Sequence, residues 1–388
     1  MSHDPANIRS YRIAFLTSFD PSDERKLSGS SYHMLKALER KGCMVSILGP
    51  VKARNILKSR IARLTQSFKK PYHLGHSYLM ASLYANAFKK KLRKQHFDCI
   101  FAPRSSTEIA LLNTQIPIIY YSDTTFASLY NYYEWFSNFM RISVREGNSI
   151  EKAALDNSTL TVFSSEWAAA SAIKDYNTDA GKISVVPMGP NLRRIPTGAS
   201  VLKPKSNDAC KLLFIGVEWE RKGGQIAFDT LKALKEKGVK ASLTILGCTP
   251  PPSCRDQDVH VIPRLDKSKP DQYQIFEELL STHHFFILPT RAECFGVVFC
   301  EASAFGLPSI TTDTGGIPSA VRNGINGYRL SLDAPASEYA ERIAGIFNDY
   351  EKAYIPLSIS SRKLFEEELN WDAFAAKMMA LFEKVSIG

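Results

Sequence analysis

A chain of 388 residues, 44% hydrophobic and 23% charged, is long for one core and ordinary in composition, which predicts about two soluble globular domains. No apolar run approaches the roughly 20 residues that cross a bilayer. Met1-Ser2-His3-Asp4-Pro5 lacks a basic-then-apolar leader, so export is not expected and a cytoplasmic location is. The net charge of +10 is uneven: residues 1–190 hold 25 Lys+Arg against 15 Asp+Glu, whereas residues 191–388 hold 24 of each.

In chain order, Arg12–Thr17 is predicted as a strand, Ser30–Lys41 as a helix stopped by Gly42, and Met44–Leu48 as the next strand. From Lys41 to Phe97 there are thirteen Lys/Arg and no acid. Within that window Leu57, Ile61, Leu64 and Phe68 fall on one helical stripe, with Lys58, Arg60, Arg63, Lys69 and Lys70 around it. Leu79, Leu83, Ala87 and Phe88 then precede the run Lys89-Lys90-Lys91-Leu92-Arg93-Lys94. Such a face is either simply solvated or lies on an anionic membrane or partner. No nucleic-acid motif accompanies it, so nucleic acid is not expected as a partner. Peripheral contact with an anionic membrane through Lys41–Lys94, at the inner face of the cell membrane, is the expectation.

Cys99–Ala102, Ile116–Tyr121, Leu160–Phe163 and Ile183–Val186 continue the strands. Pro187–Pro204, with four prolines and two glycines, reads as a linker. A second series follows: strand Leu212–Ile215, helix Gln225–Lys237, and strands Ala241–Leu246, Val259–Ile262, Phe285–Leu288 and Pro308–Thr312. Alternating strands and helices imply parallel sheets with right-handed crossovers. The predicted class is α/β, two facing Rossmann-like domains at 1–188 and 205–370, with ligands at strand carboxyl ends in the cleft.

Chemistry concentrates after the Phe285 strand. A loop carries Glu293, Phe295 and Gly296, and a helix beginning near Gly296 carries Glu301. The first amides of a helix point outward unpaired, and with the dipole they form an anion site near Gly296 and Val297. Glu301 lies about five residues further, or roughly 7.5 Å along the axis. A nucleotide sugar has the matching layout of sugar hydroxyls, pyrophosphate and ribose diol, and carboxylates bind adjacent hydroxyls well. Arg221-Lys222-Gly223, on the loop after the Leu212 strand, supplies a fork and a point charge for a pyrophosphate. In the first half, Gly29 lies between strand and helix, either for close backbone approach or simply as an N-cap neighbour. Asp123 ends the Ile116 strand, either to orient an acceptor hydroxyl or to cap the next helix.

The Glu293-x7-Glu301 spacing with internal Phe295-Gly296, followed by Gly306-Leu307-Pro308 and Thr314-Gly315-Gly316-Ile317-Pro318, resembles the donor site of family 4 retaining glycosyltransferases of the GT-B fold. The resemblance implies transfer of a hexose-type sugar, with retention, from a nucleotide diphosphate sugar to a glycan or lipid-linked acceptor, in cell-surface polysaccharide, lipopolysaccharide or glycolipid synthesis. It implies no metal or cofactor. It also implies that Gly29 faces the donor, that Lys222-Gly223 matches the family's lysine–glycine pair, and that the helix around Trp371–Lys384 crosses back to the first domain. Two departures stand out. Val217 occupies the place of the family's early arginine, so that role passes to Arg221, and Asp123 stands where the family often has histidine. Arg264, after the Val259 strand, is the candidate for reading the base.

Other signals are weaker. Asp256-Gln257-Asp258 mimics a metal motif of a different fold, but sits in a proline-rich loop. His283-His284 lacks a third ligand, so a structural role is expected. Seven scattered cysteines read as reduced thiols. The alternatives are a nucleotide-sugar epimerase or glycosidic phosphorylase of the same fold, and a non-catalytic basic adaptor.

Overall fold

The computed structural model describes residues 10–51 and 70–386. The basic stripe expected around Leu57–Phe68 lies outside the described residues. The chain divides into two compact units: the residues up to Pro187 together with those from Trp371 onward, and Met188–Asn370.

In the first unit six strands form one parallel sheet: β1 (Arg12–Phe15), β2 (Met44–Ile47), β3 (Cys99–Pro103), β4 (Ile118–Ser122), β5 (Leu160–Phe163) and β6 (Ile183–Val185). Their spatial order is β2-β1-β3-β4-β5-β6. β3, β4 and β5 are buried along their whole length, which is why their sequences are continuous apolar runs rather than alternating ones. The closing helix Trp371–Ser386 belongs to this unit. Phe382 meets Tyr11 and Phe101 at ring-centroid distances of 6.4 and 6.0 Å, and Phe374 meets Tyr121 at 5.4 Å. Each such aromatic, fully buried, contributes about 1.5–3 kcal/mol.

The second unit repeats the plan with β7 (Cys210–Ile215), β8 (Ala241–Leu246), β9 (Val259–Ile262), β10 (Phe285–Leu288), β11 (Ser309–Thr312) and β12 (Gly327–Leu330). The order is β12-β11-β10-β7-β8-β9, again all parallel. β12 was not expected from sequence. Gly327-Tyr328-Arg329-Leu330 has no apolar run, and only its pairing with β11, Ser309 to Gly327 through Thr312 to Leu330, makes it a strand.

The strand order places the site. In the second unit the chain steps from β7 outward to β8 and β9, then returns to lay β10 on the other side of β7, with Phe285 opposite Leu212. That reversal separates the loops following β7 and β10, and ligands of open parallel sheets bind in such a crevice. The first unit has its reversal between β1 and β3.

Candidate active site

Two loops from the reversal point build the candidate donor site in the second unit. The loop after β7 leads into helix Gly224–Glu236 through Gly223, whose φ is +74°. A Cβ there would lie 1.9 Å from the Pro289 carbonyl oxygen, so only glycine lets this loop close on the one after β10. Hydrogen bonds join the two: the Arg291 amide donates to the Arg221 carbonyl at 2.7 Å, and Thr290 Oγ1 donates to the same oxygen at 3.1 Å.

The loop after β10 ends at Gly296, φ +88°, which caps the helix Val297–Ala304 without a side-chain cap. A Cβ at Gly296 would lie 2.5 Å from the Phe299 ring and 3.2 Å from Glu293 Cγ. The bare N-terminus that sequence reasoning expected is therefore present, with Glu293 against it. The Gly316 amide donates to the Glu293 carbonyl at 3.0 Å, which ties the Thr314-Gly315-Gly316 turn to the same loop.

The charged groups come together in pairs. Lys222 Nζ donates to Glu293 Oε2, with 13% and 15% of the two side chains exposed, so solvent screens this pair far less than a surface bridge. Arg221 makes a fork to Glu218, Nε to Oε2 at 2.7 Å and Nη2 to Oε1 at 3.1 Å, and its Nη1 donates to the Ala292 carbonyl at 3.1 Å. The guanidinium holds the Glu218 carboxyl below the usual carboxylate range. Arg221 thus reaches across to the Glu293 loop while its fork faces Glu218.

Glu301, one turn into the helix, is buried, and Lys267 Nζ donates to its Oε1 at 2.9 Å. The same ammonium stands 3.8 Å from the centroid of the Phe276 ring. Lys267 is the residue that sequence reasoning missed. It lies in the loop after β9 that contains Arg264, but Arg264 is exposed whereas Lys267 reaches the carboxylate. No spacing signal marks it, and only the fold brings residue 267 to residue 301.

In the first unit Gly29 adopts φ +87° at the N-cap of helix Ser30–Arg40, following β1. Asp123 follows β4 and pairs with Arg104 at 2.5 Å, both mostly buried. Arg104 follows β3 with φ +52°, a left-handed conformation uncommon for a non-glycine residue. Its amide donates to the Tyr121 carbonyl at 2.7 Å. The two readings of Asp123 separate here: Thr125, in a capping box with Ser128, caps the helix Phe126–Leu129, and Asp123 does not. Three residues past Asp123, Phe126 packs on His76, whose Nδ1 lies 2.9 Å from His73 Nε2. Burial pushes His76 down to about 3. On the neighbouring helix, burial raises the Glu151 carboxyl to about 7, and Tyr120 Oη donates to it at 3.1 Å.

The weaker signals have structural occupants. Lys235 Nζ bonds both Asp256 at 3.0 Å and Asp258 at 2.6 Å. His283 bridges the Leu279 carbonyl at 2.7 Å and Thr244 Oγ1 at 2.8 Å. His284 accepts from the Lys211 amide and faces the Ser206 carbonyl, each at 3.0 Å.

Twin six-stranded parallel sheets, each with a strand-order reversal beside its first strand, fit the GT-B class. Residues 30–194 match glycosyltransferase family 4, and residues 209–349 match the glycosyl transferases group 1. The chain belongs to the family 4 glycosyltransferases of the GT-B fold. A D-inositol 3-phosphate glycosyltransferase from Corynebacterium efficiens is 24% identical over 258 residues, 61% of this chain and 59% of that protein. The chain therefore spans less than two thirds of that relative. Among solved structures, the sucrose-phosphate synthase of Thermosynechococcus elongatus has a TM-score of 0.66 at 18% identity, over 97% of this chain and 99% of that one. An Anabaena protein solved in complex with UDP has a TM-score of 0.64 at 15% identity, over 96% of this chain and 100% of that one.

Proposed function

We propose that the protein is a retaining hexosyltransferase that uses a nucleotide diphosphate sugar and delivers the sugar to a hydroxyl of a glycan or lipid-linked acceptor. The observation that carries the reading is the pairing of Lys222 with Glu293 beside the uncapped start of helix Val297–Ala304, with buried Glu301 one turn further along. This order of groups matches sugar, diphosphate and ribose. As the C1–O bond breaks, negative charge builds on the leaving phosphate. Lys222, Arg221 and the amides at Gly296 and Val297 are the groups assigned to stabilise it, without a metal. Glu293, freed from Lys222 when the diphosphate takes that cation, accepts from the donor sugar hydroxyls. Glu301 accepts from the ribose diol. The complex of the Anabaena neighbour with UDP supports a nucleotide donor.

Acceptor recognition is assigned to the first unit, where Asp123 is free of capping duty and held by Arg104. The matching inositol-phosphate glycosyltransferase and the excess positive charge of residues 1–190 are both consistent with an acceptor that is anionic or sits on an anionic membrane. Cell-surface glycan or glycolipid assembly on the inner face of the membrane is the setting we assign.

The test is a thermal-shift screen of UDP, GDP, ADP and their sugars. A ligand bound only by the folded state raises stability as RT ln(1+[L]/Kd), about 2.7 kcal/mol at a hundredfold excess over Kd. A stabilising donor is then incubated with acceptor candidates, and the anomeric configuration of the product is read by proton NMR. No shift with any nucleotide would overturn the reading. Turnover of the donor without an acceptor would replace it with an epimerase.

A further inference from the structure

We propose that the outer face of helix Tyr78–Leu92, with Ile142 and Trp135 beside its start, is the surface on which this protein rests on an anionic lipid membrane. The inference deepens the acceptor side of the functional reading and uses described residues that reading does not employ.

The helix has two faces. Met80, Ala81, Tyr84, Phe88 and Leu92 are buried in the unit. The outward face changes character along its length: Tyr78 and Leu79 are each 46% exposed at the start, and exposed Lys89, Lys90, Arg93 and Lys94 follow at the end. The sequence holds no acid from Lys41 to Phe97. A 15-residue helix is about 22 Å long, so this is a footprint rather than a point.

Two further apolar groups hang on the frame at the helix start. The Met140 amide donates to the Pro71 carbonyl at 3.1 Å and the His73 amide to Ser143 Oγ at 2.9 Å, which fixes the start of helix Arg141–Asn157 against the 71–77 segment. That helix exposes Arg141, Ile142 and Arg145. Trp135 is 65% exposed, yet it is not loose. The Asn131 amide donates to the Phe136 carbonyl at 3.0 Å and closes its loop, and Phe136 packs on His73 at 4.9 Å. The indole lies nearly parallel to the Tyr133 ring, 13° between planes at 5.5 Å. A tryptophan held rigidly in water is costly to leave there and suits the lipid headgroup boundary, where indole is the preferred side chain. A soluble anion would use the cations but has no use for Trp135, Leu79 and Ile142. A membrane surface uses both kinds of group. Glu134 is the acid next to Trp135, and the exposed Arg141 and Arg145 follow it.

The experiment adds phosphatidylcholine vesicles with or without one third phosphatidylglycerol to the full chain, and reads sedimentation and tryptophan emission with brominated acyl chains. Anionic vesicles are expected to bind, and their brominated form to quench the wild-type emission. Trp135→Phe, folded by circular dichroism, should lose that quenching. The triple variant Lys89→Glu, Lys90→Glu, Arg93→Glu should bind anionic vesicles at least about a hundredfold more weakly at 0.1 M salt, since the loss of each cation near such a surface is worth about fivefold and reversal adds to it. Equal binding to both vesicle types, or none, overturns the proposal. So does anionic binding in which brominated lipid quenches wild type and Trp135→Phe alike, because another tryptophan, on another face, would then be the one that meets the acyl chains. The assay contains no nucleotide, so its failure leaves the transferase reading standing. Failure of the nucleotide screen likewise leaves this result intact.

Discussion

The two units handle charge in opposite ways. In the second, the candidate ligands are already matched: Lys222 with Glu293, Lys267 with Glu301, Arg221 with Glu218. A small ligand enters such a site by exchanging partners, its diphosphate taking the cations and its hydroxyls taking the carboxylates. The first unit pairs Arg104 with Asp123 at the carboxyl ends of two central strands, and buries a carboxyl, Glu151, against a tyrosine. Among its described residues, Lys89, Lys90, Arg93 and Lys94 are exposed. On the proposed reading, the charges matched inside serve a small ligand and those left outside serve a large one.

The largest test falls on the buried acid of the first unit. The Glu151 carboxyl is moved by burial from 4.5 to about 7. Between those values the unfolded chain ionises while the folded one keeps its proton, so stability falls as pH rises, by at most about 3 kcal/mol. Glu151→Gln does not titrate, and its stability relative to wild type should therefore rise from pH 5 to pH 7.5 in urea denaturation. The opposite pH dependence of buried His76 is common to both proteins and cancels. A difference that ignores pH would mean Glu151 is ionised when folded.

In the second unit, Glu301→Ala should weaken diphosphate and intact donor equally, by about 1.5–3 kcal/mol, the range for hydrogen bonds to a charged group. Calorimetric titration checks this, and wild-type affinity for the free diphosphate would remove Glu301 from the ribose. Glu293→Gln is expected to spare diphosphate binding while transfer falls tenfold or more, at least about 1.4 kcal/mol of transition-state stabilisation. Full activity would return Glu293 to a structural role. The smallest effect is at Lys267. Lys267→Met should weaken nucleotide binding about fivefold, on the order of 1 kcal/mol, and Lys267→Arg should restore most of it. If the methionine variant binds more tightly, Lys267 competes with the ribose for Glu301 rather than positioning it.

Much of this was legible in the sequence wherever a local pattern carried the information. Strands buried on both faces wrote themselves as apolar runs, as in Phe285–Leu288. The candidate donor loops are marked by glycine, since Gly223 and Gly296 stand where any side chain would collide. What stayed hidden depends on contacts between distant residues. β12 exists because β11 pairs with it, Lys267 matters because the fold carries it to Glu301, and the Arg104–Asp123 pair joins two strand ends nineteen residues apart. Asp123 is ambiguous in sequence because the residue that caps the helix, Thr125, lies only two positions on.

The closing helix carries a last consequence, for the order in which the molecule is made. Trp371–Ser386 covers Tyr11, Phe101 and Tyr121 of the first unit, yet the ribosome delivers it after all of the second. Met188–Asn370 is one continuous stretch and can fold as it emerges. The first unit must wait with part of its aromatic core uncovered until some 180 further residues have been added. At synthesis rates of about 5–20 residues per second that wait lasts on the order of 10–40 seconds. Exposed apolar surface of this kind is what chaperones bind. The unit begun first thus keeps part of its core open while the whole second unit is made, a consequence of the path of the chain.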